Sequence, residues 1–390
     1  MKTKGILIKT FIGVFILGLV FPNTGLFRER ENARIVAREN RRITAFPKNS
    51  WREKSFYSNF EKWYQDRLRY RDKAVKRWRT FNARLGVILS DKIFRGKNQW
   101  LFNRNNVVQG FDYKEEKAVV LHKLQAYCSA NGARFAFLLA PPKEAIYDDY
   151  FPPAERRKYR DYDYWEAQVK ESLQRQGVRY LSVTDTFKAA RRNDGAPLYF
   201  HDDHHWSYYG AALASKLVLE DWQAASEGNW YSWIALETTK RHVFKERSYA
   251  NELGFGQTYE TDAPWSAQFT DEIYAVDCNS GKESKMKKIV SNDYLWGKIM
   301  NGEGIIKNKT LKNKKTILIL GDSYSSYMAP YLSQYADTVV ATHYSRGKKF
   351  VNMPELLAKY QPDYVLLEML GNSFYRSKEV QRIGKIIIPD

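Results

Sequence analysis

Cysteine is scarce in this chain of 390 residues. Its two cysteines, Cys128 and Cys278, lie far apart in the sequence. Closely spaced cysteines of the kind that bind zinc are absent, so the sequence contains no motif typical of a cysteine-based zinc site. Two alternatives stay open for this pair: a disulfide formed outside the cytoplasm, or two buried thiols. An internal repeat is also lacking, so the sequence is not typical of repeat proteins.

The chain beyond residue 104 has little net charge. Of the total of +19, residues 28–104 contribute 14 and three lysines in the first nine residues contribute 3, which leaves +2 for the remainder. A nucleic-acid-binding protein is expected to carry its basic surface on the folded domain, so we expect no nucleic-acid partner. A basic segment beside a nearly neutral domain indicates attraction to anionic lipid or to an anionic polymer.

The N-terminal segment lacks an A-x-A-like cleavage site. An apolar run extends from Gly5 to Phe21, and three lysines precede or interrupt it. This length is at the short end for a membrane span, for which about 20 residues are typical. We therefore predict a membrane anchor over residues 1–22, with the N-terminus inside and the rest of the chain outside. The alternative is a cleaved signal peptide.

Two further regions follow the predicted anchor. Residues 23–95 form a basic, helical segment, in which large apolar side chains at helical spacing predict one buried face; these are Phe56, Phe60, Trp63 and Tyr64. Residues 96–390 form the main domain, with an insertion of undefined fold near 225–312.

Short apolar strands alternate with helical segments along the main domain. Strands are predicted at 134–140, 179–183, 316–320, 338–342 and 364–367, and helices at 114–131, 156–176, 207–222 and 353–360. Ser207 is the predicted N-cap of its helix. Apolar strands separated by helices predict an α/β fold with a mostly parallel sheet covered by helices on both faces.

The sequence Gly321-Asp322-Ser323 directly follows one predicted strand and precedes a helix, which is predicted to extend to about Tyr335. The Ser323 hydroxyl would lie at a tight turn, where backbone N–H groups and the helix N-terminus can stabilise an oxyanion. This is the logic of a nucleophile elbow, although the G-x-S-x-G pattern is absent. The alternative is that Gly321 makes the turn and Ser323 caps the helix.

Histidine is rare, yet three of the six histidines lie within residues 201–205, beside two aspartates. A serine nucleophile needs a base, and the base needs a group that fixes its tautomer. Asp203 and His205 lie two residues apart and share one side of an extended loop. We therefore expect His205 to accept the Ser323 proton and Asp203 to hold the imidazole. The alternatives are a metal site with His201 and His205 as ligands, and a purely structural cluster.

These motifs together resemble the DHHW-motif family of alginate-type polysaccharide O-acetyltransferases, which carry an SGNH-hydrolase-like domain. Asp203-His204-His205-Trp206 stands intact, and Gly321-Asp322-Ser323 follows it, in the permuted order of that family. Weaker matches extend the resemblance over roughly residues 39–375; they are Glu39-Asn40-Arg41, Phe46-Pro47, Lys97 to Phe102, Ala140-Pro141-Pro142-Lys143 and Tyr199.

The resemblance implies three catalytic roles: Ser323 as nucleophile, His205 as general base and Asp203 as the orienting carboxylate. It also implies that the Asn372 side chain donates to the oxyanion, although Ser373 stands where the related pattern has an aspartate. No metal and no cofactor are implied.

The implied activity is O-acetylation of an exported polysaccharide outside the cytoplasm, through a serine acyl-enzyme. A separate membrane-bound acyltransferase would supply the acetyl group, so the expected partners are that protein, the polysaccharide and the membrane. The same triad fits a carbohydrate acetylesterase. The aromatic content of 15% fits a non-catalytic carbohydrate-binding component of an export complex, and His201 with His205 fits a metal-dependent deacetylase.

Overall fold

The computed structural model describes most of the chain beyond residue 91 and shorter stretches before it. The described residues are 10, 13–14, 44–65, 77–78, 80–82, 92–108, 113–159, 162–193, 197–222, 241–245, 258–262, 273–277, 280–285, 299, 303–311, 314–346, 349–376 and 380. The chain forms two compact units, one of residues 1–90 and 248–256, the other of residues 91–247 and 257–390. The predicted regions 1–22, 23–95 and 96–390 stay a prediction.

The first unit contains helix α1 (Lys54–Gln65), which carries the predicted apolar face. Trp63 is buried, and its ring lies 5.4 Å from that of Phe60. The Phe46 ring packs edge-on against Trp63, with centroids 4.9 Å apart. The helical spacing predicted for this segment is therefore confirmed over α1.

The predicted anchor over residues 1–22 lies almost wholly outside the described residues. Among the helices that can be searched, none combines the length and the apolar character that a bilayer crossing requires.

The described part of the second unit contains fourteen strands. They are β1 (Ile93–Arg95), β2 (Leu101–Asn103), β3 (Arg134–Ala140), β4 (Tyr180–Ser182), β5 (Arg241–Lys245), β6 (Thr258–Asp262), β7 (Ile273–Asp277), β8 (Glu283–Lys285), β9 (Glu303–Asn308), β10 (Thr316–Gly321), β11 (Thr338–His343), β12 (Ser345–Arg346), β13 (Lys349–Phe350) and β14 (Tyr364–Leu370).

Ten helices of the same unit accompany these strands within the described ranges. They are α2 (Arg104–Val108), α3 (Glu116–Ala130), α4 (Lys143–Ile146), α5 (Pro153–Arg156), α6 (Tyr162–Arg175), α7 (Thr184–Asn193), α8 (Tyr208–Asp221), α9 (Ser325–Leu332), α10 (Met353–Tyr360) and α11 (Gly371–Arg376).

Eight strands form the central sheet in the order β4-β3-β14-β10-β11-β9-β7-β8. The five strands from β4 to β11 are mutually parallel, and the remaining three pair antiparallel at the far edge. The α/β fold with a mostly parallel sheet is therefore confirmed, and an antiparallel edge extends it. That edge uses β7, β8 and β9, which come from the stretch near 225–312.

Side chains of the central strands alternate between two buried faces. In β10, Ile317 and Ile319 belong to one core cluster, whereas Leu318 and Leu320 belong to the other. Residues of α8 and α9 pack on the first face, and residues of α3, α6 and α10 pack on the second. A strand buried on both sides needs apolar residues at every position, which explains the continuous runs in the sequence.

Three chain segments leave the sheet at one edge. Because β3, β14 and β10 are parallel neighbours, the residues after Ala140, Leu370 and Gly321 emerge together. In open parallel sheets, ligands bind beyond the carboxyl ends of the strands. This edge is therefore the expected location of a functional site.

Candidate active site

The turn after β10 is shaped by Gly321. A Cβ atom at this position would lie 2.4 Å from Ser325 Cβ and 2.8 Å from Glu368 Oε2, so only glycine lets the chain pass here. The Asp322 carboxylate then accepts the Tyr324 N–H at 3.0 Å and the Leu370 N–H at 2.9 Å. These bonds fix the turn internally and tie it to the end of β14.

A buried carboxyl group lies beneath this turn. Glu368 of β14 is fully buried, and its Oε2 accepts the Asp322 N–H at 3.2 Å. Burial, reinforced by the charge of Asp322, raises the pKa of Glu368 well above its usual range. Burial therefore favours the neutral form of this carboxyl group. Sequence reasoning missed this residue, because a single glutamate in an apolar strand has no motif around it.

The structure brings the three predicted catalytic side chains together. His205 Nε2 lies 2.6 Å from Ser323 Oγ, and His205 Nδ1 lies 2.9 Å from Asp203 Oδ1. The backbone N–H of His205 donates to the same carboxylate at 3.3 Å. With Nδ1 protonated and donating to Asp203, Nε2 is the acceptor for the serine proton. The geometry is that of a serine–histidine–aspartate triad, and the catalytic roles stay a prediction.

Two imidazoles share the Asp203 carboxylate. His204 Nδ1 lies 3.0 Å from the oxygen that also faces His205. Burial alone raises the pKa of Asp203, but the charge of His205 and the hydrogen bonds of both imidazoles outweigh burial and hold that pKa well below its usual range. Burial lowers the pKa of His204, whereas its bond to Asp203 raises it, and the net change is upward.

The loop that carries Asp203 and His205 is docked directly onto the nucleophile turn. The Trp206 indole N–H donates to the Tyr324 carbonyl at 3.1 Å, and the Tyr324 hydroxyl donates to the His204 carbonyl at 2.5 Å. Trp206 and Tyr324 are both buried. Sequence reasoning assigned neither of them a function, although each is adjacent to a predicted catalytic residue. Together they hold the loop of His205 against the turn of Ser323.

The helix after this loop begins as predicted. Ser207 precedes α8, and its Oγ accepts the Gly210 N–H at 3.2 Å. The Ser207 N–H donates to the Leu198 carbonyl at 2.7 Å. The N-cap therefore also closes the base of the catalytic loop.

Two groups at this edge are suited to hold an oxyanion. The Tyr324 N–H is already bonded to Asp322, but the Ser323 N–H donates to no residue that the structure describes. Asn372 is 5% exposed, and neither atom of its side-chain amide has a hydrogen-bond partner within the described ranges. Buried amides are normally hydrogen-bonded, so the Asn372 amide is available to hydrogen-bond a bound ligand. The oxyanion role of Asn372 stays a prediction.

Metal ligation is poorly supported by the histidine arrangement. The group of ligand-type side chains found in the described part of the chain is Asp203, His204 and His205, without His201. The His201 ring instead packs 4.3 Å from that of Trp100, and burial lowers its pKa to about 4. Both ring nitrogens of His205 are already engaged, so a metal there would displace the serine or the aspartate.

Comparisons with known proteins agree with this fold. Residues 93–253 match a family model described as ALGX, the SGNH hydrolase-like domain of the acetyltransferase AlgX. No curated protein matches the chain. Among solved structures, Bacillus cereus PatB1 with a sulfonyl adduct is 16% identical with a TM-score of 0.52, covering 75% of this chain and 98% of PatB1. A DHHW family protein from Eubacterium siraeum is 14% identical with a TM-score of 0.52, covering 76% of this chain and 96% of its own.

The family match confirms the predicted resemblance, and with it the SGNH-like fold and the enzyme class of an SGNH-type O-acyltransferase. The matched residues include Asp203 and His205 but end before Ser323. Ser323, the predicted nucleophile, lies outside the matched residues, and β10 of the central sheet brings it to the same edge.

Proposed function

We propose that this protein is an extracytoplasmic O-acetyltransferase that adds acetyl groups to an exported polysaccharide through a Ser323 acyl-enzyme. The observation that carries the proposal is the continuous chain of short contacts from Ser323 Oγ through His205 to Asp203. The match to an acetyltransferase domain supports acyl transfer as the reaction class.

In the first step, Ser323 Oγ attacks the carbonyl carbon of the acetyl donor while His205 Nε2 takes the hydroxyl proton. The oxyanion accepts hydrogen bonds from the Ser323 N–H and the Asn372 side chain. The donor's leaving group departs with the proton from His205, and an acetyl ester remains on Ser323. Asp203 stabilises the imidazolium that forms between these events.

In the second step, a sugar hydroxyl gives its proton to His205 and attacks the acetyl ester. The new ester bond forms on the sugar, and the proton returns to Ser323 as its bond to the acetyl group breaks. Water in place of the sugar would give acetate, which is the esterase reaction of the same triad. The choice between the two outcomes depends on which acceptor reaches the acyl-enzyme.

The acetyl donor is a separate membrane-bound acyltransferase in this proposal. The apolar N-terminal segment would keep the domain on the membrane, with the catalytic residues outside the cytoplasm. Tethering raises the effective concentration of the domain near its donor without any new contact between them. The basic segment between residues 28 and 104 supports the same placement through attraction to anionic lipid.

The first test measures products. The purified protein is incubated with a small acetyl ester and oligosaccharides, and acetylated sugar and free acetate are quantified. Acetylated sugar as the main product supports the transferase, whereas acetate alone supports the esterase. Ser323→Ala should abolish both products. Ser215→Ala is the matched control, because this buried serine on α8 bonds to its own helix at Ala211, and its activity should match that of the wild type.

The second test labels the nucleophile. A sulfonyl adduct is described for PatB1, so an aromatic sulfonyl fluoride is a suitable probe for a reactive serine. Attack by Ser323 Oγ forms a sulfonate ester and releases fluoride. Mass spectrometry should find a single modified peptide containing Ser323 in the wild type and in Ser215→Ala, and none in Ser323→Ala. Equal labelling of all three proteins would contradict the proposed nucleophile.

A further inference from the structure

A lysine is buried directly behind the catalytic loop. Lys143 is the first residue of α4, just beyond the end of β3, and none of its surface is exposed. A fully buried lysine is rare unless its charge is paired or its N–H groups are hydrogen-bonded. The Lys143 ammonium is therefore expected to have specific hydrogen-bond partners.

Those partners are backbone carbonyls. Lys143 Nζ lies 2.7 Å from each of the carbonyl oxygens of Leu101, Phe200 and His201 and 3.1 Å from that of Asp203. An ammonium has three N–H donors and no acceptor. The three nearer carbonyls can each take one bond, and the Asp203 carbonyl shares one of them.

Aromatic rings complete the surroundings of this ammonium. Its nitrogen lies 4.8 Å from the centroid of the Trp100 ring and 5.1 Å from that of Phe102. Both distances are within the range of a cation–π interaction. The β1–β2 hairpin thus contacts the Lys143 ammonium through two aromatic rings and the Leu101 carbonyl, and the same ammonium binds the loop of residues 200–203.

We propose that Lys143 is a positioning residue of the active site, whose ammonium group fixes the backbone of residues 200–203 so that Asp203 presents His205 to Ser323. The proposal rests on the proposed function, since it concerns the same triad. Three of the four bound carbonyls belong to the loop that carries Asp203 and His205, and the fourth belongs to the β1–β2 hairpin, so one side chain sets the position of the loop against the hairpin.

The expected effect is on the chemical step. A displacement of about 1 Å in a catalytic group can lower the rate roughly 100-fold. Lys143→Met keeps the length and apolar volume of the stem but removes the charge and all donors. We expect kcat to fall by roughly that factor, with little change in KM, because no contact to substrate is involved.

The protonation state of Lys143 gives a readout that a merely structural lysine would not give. Burial lowers the pKa of Lys143 to about 7, against the opposing attraction of Glu144, Asp202 and Asp203. His201 is the other titratable group in electrostatic contact with it. When Lys143 loses its proton, its nitrogen has two N–H donors and a lone pair, so one of the carbonyls loses its hydrogen bond. The loop should therefore loosen, and kcat should fall, as the pH rises through about 7.

The experiment compares the pH profiles of kcat in the full chain for the wild type, Lys143→Met, Lys143→Arg and Lys117→Met. Arginine keeps its charge at all working pH values. Lys117 is also buried and donates to the carbonyls of Phe374 and Tyr375, away from the catalytic loop. It serves as the control for loss of a buried lysine through the shape of its pH profile; the level of kcat is not compared, because α11 also carries Asn372.

The expected result has three parts. In the wild type and in Lys117→Met, kcat declines above about pH 7. Lys143→Arg lacks this decline. In Lys143→Met, kcat is low and does not change with pH above about 7. Wild-type kcat with an unchanged profile in Lys143→Met overturns the positioning role. If Ser323→Ala is inactive while Lys143→Met behaves as the wild type, the positioning role fails and the proposed function still holds. Full activity in Ser323→Ala overturns the proposed function itself.

If Lys143→Met does not fold, the wild-type protein decides. Its lysines are labelled at 13Cε. The signal of Lys143 is identified by its titration near neutral pH, far below the usual lysine pKa of about 10.4. This signal and kcat are both followed as the pH rises, until every lysine has lost its proton. A parallel decline supports the proposal. A kcat that stays constant while all lysine signals titrate overturns it.

Discussion

At the scale of single residues, Asp203 is the group on which the geometry of the site depends. One of its oxygens faces both His204 Nδ1 and His205 Nδ1. Its low pKa keeps it ionised throughout the neutral range. The carboxylate therefore fixes the tautomer of His205 and leaves Nε2 as the acceptor for Ser323.

Asp203→Asn should lower kcat by roughly 10⁴-fold, the size of effect seen when an asparagine replaces the triad aspartate of a serine protease. The amide can donate to His205 Nδ1, which favours the tautomer with the proton on Nε2. Thermal unfolding should show a folded protein. Asp221→Asn is the control, because its carboxylate pairs with Arg179 at the opposite end of α8, and it should retain wild-type kcat. A similar loss in both variants would contradict the assignment.

Asn372 combines burial with two unpartnered amide atoms, as far as the described residues show. Removal of such a group relieves a desolvation penalty, while removal of an oxyanion donor typically costs about 10²- to 10³-fold in kcat. Asn372→Ala should therefore be at least as stable as the wild type and yet lose activity of that order. The free energy of unfolding, from denaturant titration, and kcat are measured for both the variant and the wild type. A less stable variant with normal kcat would instead show that Asn372 has a purely structural role in α11.

Glu368 affects the pH dependence of stability. Its folded-state pKa is raised, so above the ordinary glutamate pKa of about 4.3 the unfolded chain loses a proton that the folded chain keeps. Stability contributed by this site therefore declines as the pH rises. Glu368→Gln keeps the shape and removes the titration. We expect its melting temperature to exceed that of the wild type by more at pH 8 than at pH 4.5. An equal difference at both values would argue against a neutral Glu368.

At the scale of elements, the central strands were predictable and the sheet edge was not. The predicted strand at 134–140 coincides with β3, and the helix at 353–360 coincides with α10. Their apolar runs and helical spacing are local properties of the sequence. In contrast, β9 reads EGIIKN, with alternating burial. Its pairing with β7 and β11 depends on distant residues, which local patterns do not record.

Some helix bounds also differ from the prediction. The helix predicted at 156–176 is α6 from Tyr162 to Arg175, preceded by the separate turn α5. The helix after Ser323 ends at Leu332 rather than near Tyr335. Tyr162 and Tyr335 are both buried, and the helical spacing of the sequence does not indicate which side chains become buried in the folded chain. The triad itself was predictable since its motifs are short and contiguous, whereas Lys143 and Glu368 required three-dimensional neighbours to be noticed.

Gly321→Ala tests the turn between β10 and α9. The new methyl group would meet Ser325 Cβ at 2.4 Å, and overpacking of this kind costs about 1–3 kcal/mol. Because the turn carries Ser323, kcat should fall along with stability. Gly132→Ala is the contrast: its φ of +81° is unfavourable for alanine, but space is open around it. It should lose about 1 kcal/mol of stability with kcat unchanged, and a Gly321→Ala protein that behaves in the same way would contradict a role in the turn.

At the scale of the whole molecule, the residues of the proposed triad come from segments more than a hundred residues apart. Asp203 and His205 precede α8, whereas Ser323 follows β10, and α8 and α9 pack on the same face of the sheet. This packing brings the two helix N-termini, and the loops before them, to one edge. The order of the motifs along the chain is therefore irrelevant to the chemistry, provided that both segments reach the same end of the sheet.

Membrane tethering is the property of the whole chain that the proposed reaction requires, and the N-terminal segment should supply it. We expect the chain isolated from cells to sediment with membranes, and its intact mass to include residues 1–22. Deletion of that segment, with a cleavable secretion signal in its place, should release an enzyme that acetylates oligosaccharides from a small donor as well as the full chain does. In cells, however, the released enzyme should acetylate the polysaccharide poorly, since a diffusing domain meets the membrane-bound donor at a lower effective concentration. A wild-type chain that lacks its first residues and is recovered free of membranes would instead establish a cleaved signal peptide, and the donor would then have to recruit the enzyme through its folded surface.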